Sequence, residues 1–196
     1  MTKDLEKQEK KVRKTEGQIE AIVKVAQRLF EKKGYEQVGM REISAAANKS
    51  PMQLYRLGLD KQDLLAEVII RVNAQQIKHI QAFSQTQKQT ATQFIEAYLL
   101  DLYKQDITIK SIRKEGAAFG WKWSEKYETL IIEQLMQIIQ PISDALLHEK
   151  FDGIQARCFG IWSLYYVGYR NAVMNNGNAQ SCLEAIKPSL SLLLRK

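Results

Sequence analysis

NKSPMQLYRLGLDKQDLL, residues 48–65, holds one short helix and the entry to a second, and the start signals of both are legible. Ser50 sits at a helix N-cap and Pro51 follows at the first helical position, where a missing N–H costs nothing. Leu54 and Leu57 then point inward from that helix, and Asn48 with Lys49 forms the turn before it. Asp60, with Asp63 three residues on, caps the next helix, which the apolar series Leu64, Leu65, Val68, Ile69, Val72, Ile77 and Ile80 carries far downstream.

Upstream, Ile19, Ile22, Val23, Ala26, Leu29 and Phe30 recur at three- and four-residue steps, which predicts an amphipathic helix over residues 16–33 that the KKG at 32–34 terminates. A short helix over 40–47 follows, with Gly39 at its N-cap, Glu42 placed to reach back to that cap, and Ile43 and Ala46 or Ala47 facing inward. Three short helices in about 45 residues, the last two separated by a tight turn, follow the helix-turn-helix plan.

Further helices are expected around Phe94–Leu102 and over 107–123, 125–149, 154–174 and 179–194, with breaks at Asp106, at Ser124, at 151–153 and at 175–178. Only three prolines and ten glycines interrupt long runs of helix-forming residues, and no strand-period alternation stands out. The reading is all-α, about nine helices: a charged N-terminal extension over 1–14, a helix-turn-helix domain over 15–62, and a helical body over 63–196.

Catalysis has little to stand on. His79 and His148 sit on separate helices without a carboxylate or cysteine at ligand spacing, no glycine-rich phosphate loop occurs, and Cys158 and Cys182 lie too far apart for a CxxC site. No enzyme activity, metal or cofactor is expected, and the cysteines read as buried, reduced thiols. The first residues lack an apolar segment and no later apolar run approaches the ~18 residues that span a bilayer, so a cytoplasmic chain without membrane contact is expected.

The net charge of +7 is uneven: residues 1–61 hold 14 Lys/Arg against 9 Asp/Glu, and residues 62–196 hold 15 against 13. The excess at the N-terminal end suits a polyanion. Much of it comes from Lys7, Lys10, Lys11, Arg13 and Lys14, in a segment that can equally be a solvated tail.

AQRLFEKKGYEQVGMREISAAANKSPMQLYRLGLDKQDLL, residues 26–65, resembles the N-terminal domain of the TetR family of bacterial helix-turn-helix transcriptional repressors. Over about residues 20–66, Leu29, Phe30, Gly34, Tyr35, Ile43, Ala46, Ser50, Leu54, Tyr55, Lys61 and Leu64 or Leu65 match that family's pattern in order and spacing. The resemblance implies a homodimer that binds a palindromic site on double-stranded DNA and is released by a small-molecule inducer held in the body. Departures accompany it. Gly39 stands where the family commonly has Thr, Met52 where it has Gly or Ala, and Leu57 and Gly58 where it has His and an aromatic residue, which predicts a slightly loosened head.

On B-DNA, Pro51, Met52, Gln53 and Arg56 are the side chains expected in the major groove, where Gln53 can pair with adenine, Met52 can meet a thymine methyl and Arg56 can reach guanine or a phosphate. Lys49, Tyr55 and Lys61 are expected on backbone phosphates. Phe94, Tyr98, Phe119, Trp121, Trp123, Tyr127, Trp162 and Tyr166 are the aromatic residues from which an apolar inducer pocket can be built, although aromatics at helical spacing also serve as plain core. For dimerisation, Gly160, Leu164 and Gly168 share one helix face, and Leu183, Ile186, Leu190 and Leu193 line the final helix. Filling of the subunit's own core by both stripes stays open. The rival to a DNA-reading regulator is a helical dimeric ligand- or protein-binding module whose head no longer reads DNA.

Overall fold

The computed structural model describes residues 2–84, 90–119 and 125–195, and among these it is all-α, with nine helices. Helix α1 spans Thr2–Lys33, so the charged segment expected as an extension is the first half of one continuous helix. Its apolar face becomes buried from Ile22, through Val23 and Ala26 to Phe30, and Gly34, with φ of +81°, ends it in the left-handed conformation that favours glycine.

Helix α2 covers Met40–Ala46 and α3 covers Pro51–Arg56. Ile43 and Ser44 are the buried residues of α2, whereas Ala46 is exposed and Ala47 only half-buried, because the helix is two turns long and its last turn opens into the bend at Asn48. Gly39 caps α2 without a side-chain hydrogen bond, and the Glu42 carboxylate goes to Lys33 instead of reaching back. An ammonium group is a stronger draw for a carboxylate than one more backbone N–H.

Helix α4, Lys61–Ser84, opens on the cap expected at Asp60, which Asp63 makes reciprocal: Asp63 N donates to Asp60 Oδ1 at 2.8 Å and Asp60 N to Asp63 Oδ2 at 2.9 Å. The turn before it gives the departure at position 58 a conformational reason. Gly58 has φ of +71°, which only glycine adopts without strain, and it carries the chain so that Leu59 is buried and donates its N–H to Leu54 O at 3.1 Å. Leu59 supplies the apolar plug that position 58 lacks.

Helices α5 (Ala91–Thr108), α6 (Lys110–Phe119), α7 (Glu125–His148), α8 (Ile154–Asn175) and α9 (Ala179–Leu193) complete the chain. The chain separates into two compact units, Met1–Arg71 with Ser111–Tyr127, and Val72–Lys110 with Glu128–Lys196. The first unit takes in α6 and the start of α7, residues that the sequence reading placed with the body. Within it Ser111 Oγ bonds Glu31 O at 3.4 Å, and Lys126 Nζ lies 3.4 Å from Gly58 O and 4.0 Å from Asp63 Oδ1.

The break expected at Asp106 is displaced to Ile109, and Asp106 is a buried position of α5. Tyr165 Oη donates to its Oδ2 at 2.6 Å, Gln76 Nε2 to its Oδ1 at 3.2 Å, and Tyr169 Oη to its backbone oxygen at 2.9 Å. A polar residue reads as a break in sequence because its partners are 30 to 63 residues away. Around this network Tyr103 stacks on Tyr165 at 4.6 Å and Trp162 on Tyr165 at 5.0 Å.

Burial pushes the phenols of Tyr98 and Tyr103 well above the ordinary tyrosine range. A group whose folded-state pKa is raised stabilises the fold below its unfolded value, about 10, and loses that contribution as pH rises further. On alkaline titration the phenolate absorbance of these two tyrosines should therefore appear together with loss of helical circular dichroism. Full ionisation of all eight tyrosines with the helices intact would contradict this packing.

Candidate nucleic-acid interface

Helix α3 is set by its cap. Ser50 Oγ accepts from Gln53 N at 3.3 Å while Gln53 Oε1 accepts from Ser50 N at 2.8 Å, with Pro51 at the first position. Leu54, fully buried, anchors the helix from beneath, and Leu57 becomes its half-buried C-cap. With one face pinned, Met52 and Tyr55 must point outward, at 60% and 52% exposure, and Gln53 and Arg56 are exposed beside them. The result is a short helix presenting a long apolar side chain, an amide, a phenol and a guanidinium on one surface, the donor and acceptor types that read base edges and phosphates.

Two of the expected DNA-contacting side chains are partly engaged within the head. Gln53 spends its side-chain oxygen on the cap, so bidentate pairing to adenine requires that bond to open. Lys61, half-buried, lies with Nζ 4.2 Å over the Tyr35 ring and 3.4 Å from Glu36 O, which leaves further N–H groups on the ammonium for a phosphate. Tyr35 is buried, and its phenol is pushed up to about 12, first by burial and then by Glu36 and other carboxylates. Lys49 and Pro51 are half-buried at the turn.

In the second unit Tyr98 is fully buried and donates to Ile138 O at 2.6 Å, with Phe94 stacked on it at 5.9 Å, so this pair is part of the core. Trp162 is half-buried and Tyr166 is 38% exposed, their rings 5.5 Å apart edge to face. The buried Trp162 Nε1–H has no acceptor among the described residues. Tyr127 is buried in the first unit, where burial and then Asp63 and Glu67 raise its phenol. Trp121 and Trp123 lie outside the described residues, as does the side chain of Phe119.

The stripes read as dimerisation surfaces are occupied within the subunit. Gly168, Leu183, Ile186 and Leu190 are buried, and Leu164 and Leu193 pack against the same core. A Cβ at Gly168 would stand 2.2 Å from Tyr103 Oη and 2.6 Å from Cys182 O, and one at Gly160 would stand 2.9 Å from Leu193 Cδ1. The glycines admit α9 of the same chain. The face of α8 turned the other way carries Phe159, Val167 and Met174 at 76%, 61% and 65% exposure, a set that the sequence reading missed although it recurs at seven- and eight-residue steps.

The architecture defines a helix-turn-helix protein with a second unit that is helical throughout its described elements. Residues 22–68 match the family model for bacterial regulatory proteins of the tetR family. No curated protein matches the chain. Among solved structures, the transcriptional regulator FadR from Bacillus subtilis, in complex with stearoyl-CoA, superposes with a TM-score of 0.66 at 16% identity, covering 89% of this chain and 96% of that one. A protein of Mesorhizobium loti MAFF303099 described as a TetR-family transcriptional regulator gives 0.65 at 15% identity, covering 92% and 96%. Salmonella enterica GusR gives 0.62 at 15%, covering 91% and 95%. The head over residues 22–68 is thus similar to that of the tetR family, and the chain shares its fold with solved proteins described as TetR-family transcriptional regulators. Among the described residues no cluster of side chains suits a metal ion and no helix is long and apolar enough to cross a membrane.

Proposed function

We propose that the protein is a ligand-responsive transcriptional regulator that binds a palindromic operator as a homodimer, most simply as a repressor. The observation that carries this reading is α3, capped at Ser50, anchored by Leu54 and presenting Met52, Gln53, Tyr55 and Arg56 outward. A dimer supplies two such helices, which suits half-sites about one helical turn or a multiple apart. Its seam is the outward face of α8, Phe159, Val167 and Met174, together with the exposed Leu192 of α9, since an apolar stripe of that kind calls for a partner.

The inducer is a small, largely apolar or aromatic molecule. Trp162 and Tyr166 offer ring surface for it, and the unpartnered indole N–H offers one donor. FadR's complex with stearoyl-CoA is a precedent for an apolar chain held by this fold. Helix α4 is the lever, because it begins beside the recognition helix and contributes to both units; a ligand moves that equilibrium only by favouring the arrangement that does not bind DNA.

Selection from a pool of random duplexes should enrich a palindrome. Tyr55→Ala should then weaken binding about 10- to 100-fold, the range of one to two good contacts. Gln53→Glu, which keeps the cap but places a carboxylate in the groove, should weaken it at least as much. The rival, a dimeric binding module with a silent head, is favoured by Gly39, which has no hydroxyl to offer a phosphate; failure to enrich any motif would overturn the regulator reading and leave the rival standing.

A further inference from the structure

The first half of α1 lies outside the residues that the family model covers, and none of its described residues is buried. Residues 7–14 are all exposed, and the first buried position described on this helix is Ile22. It is nevertheless one continuous helix with the head, so the head sets its direction. At about 100° per residue, Lys7, Lys10, Lys11 and Lys14 fall on one side of the helix and Glu9 and Glu16 nearly opposite, while the buried stripe of Ile22, Val23 and Ala26 faces roughly a third of a turn away from the lysines.

Lys7 with Lys11, and Lys10 with Lys14, are like charges four residues apart, a spacing that destabilises a helix by a few tenths of a kcal/mol per pair. Further along the same helix Lys24 pairs with Glu20 at 2.8 Å, but no described carboxylate lies against these four ammonium groups. Repulsion of this kind is relieved by a polyanion. Lys7 to Lys14 rises about 10 Å, an axial length over which one DNA strand carries about three phosphates.

We propose that the N-terminal half of α1 binds the phosphate backbone of duplex DNA through Lys7, Lys10, Lys11 and Lys14, as a sequence-blind contact that adds to the one made by α3. The inference rests on the proposed function. An anionic membrane is the less suitable polyanion, because among the described residues the flank that would enter it offers only Leu5 and Val12 as exposed apolar groups.

The test compares the unaltered protein with Lys7→Gln/Lys10→Gln/Lys14→Gln, and with Lys78→Gln/Lys104→Gln/Lys150→Gln, which changes net charge equally in the second unit. Binding to the selected palindrome and to random-sequence duplex is titrated at several salt concentrations. The α1 variant should bind both DNAs roughly 10- to 100-fold more weakly near ~150 mM salt, with a salt slope shallower by about one unit for each phosphate no longer neutralised and an unchanged sequence preference. The control variant should keep the wild-type slope. Equal slopes for all three proteins overturn the proposal. So does loss of binding to phosphatidylserine vesicles in the α1 variant with DNA binding intact, which would assign the stripe to membranes. If the wild type enriches no palindrome, the regulator reading fails by itself, and the slope on random duplex still decides whether the stripe holds phosphates.

Discussion

If the proposed dimer holds, Phe159→Asp combined with Val167→Asp is expected to leave the chain monomeric and to remove operator binding, with the helical content of each subunit little changed. Both side chains are exposed, at 76% and 61%, so the subunit's own packing does not depend on them. In a two-fold interface each substitution counts twice, which places four carboxylates in an apolar seam without cations to receive them. Unpaired charges in such a place cost several kcal/mol together, enough to weaken the dimer at least a thousandfold. Operator affinity falls with it, since one head alone holds half a palindrome. Sedimentation of the purified variant checks the first step and titration of the selected site the second. A dimer that survives both substitutions would move the seam to another exposed face, such as Ile132 and Met136 on α7.

The second large effect is on the fold. Gly168→Ala should destabilise the protein by about 3 kcal/mol, seen as a lowered melting temperature, because the added methyl has nowhere to go. Its carbon would overlap Tyr103 Oη and the Cys182 carbonyl oxygen, one fixed by its own hydrogen bond to Tyr165 O at 2.9 Å and the other part of the α9 backbone. Gly160→Ala makes the contrast on the same helix. There the close neighbour is the Leu193 side-chain end, which can turn aside, and alanine gains up to ~1 kcal/mol of helix propensity over glycine. Gly160→Ala should thus be near neutral. Equal destabilisation at the two positions would mean that the spacing of α8 and α9 is not what the glycines set.

The head was legible because its signals are local. A Ser-Pro helix start, paired aspartates at 60 and 63 and a glycine exit at 34 each act within four residues, so a short stretch of chain carries the whole instruction. Two local readings still failed. Glu42 was drawn to Lys33 rather than to its own cap, and Gly58, read as a missing aromatic, proved to be the left-handed residue that lets Leu59 take the buried place.

In the body the order of the helices followed from apolar periodicity, but its faces did not. Periodicity states that a helix has an apolar side; it does not say which neighbour covers that side. Gly160, Leu164 and Gly168 form as regular a stripe as Phe159, Val167 and Met174, and only packing assigns the first to α9 of the same chain and leaves the second open. Asp106 makes the same point for polar groups: alone in sequence it looks like a break, and with Gln76, Tyr165 and Tyr169 gathered around it, it is a buried anchor. By itself, then, the sequence determined an all-α chain, the helix-turn-helix head and its outward-facing residues, all governed by interactions a few residues long. Which helix faces are spent inside the subunit was decided by tertiary structure alone, because pairings between residues about 60 apart in the chain, as Tyr103 with Tyr165, are chosen by shape and hydrogen-bond satisfaction, and neither is written in the spacing of a single helix.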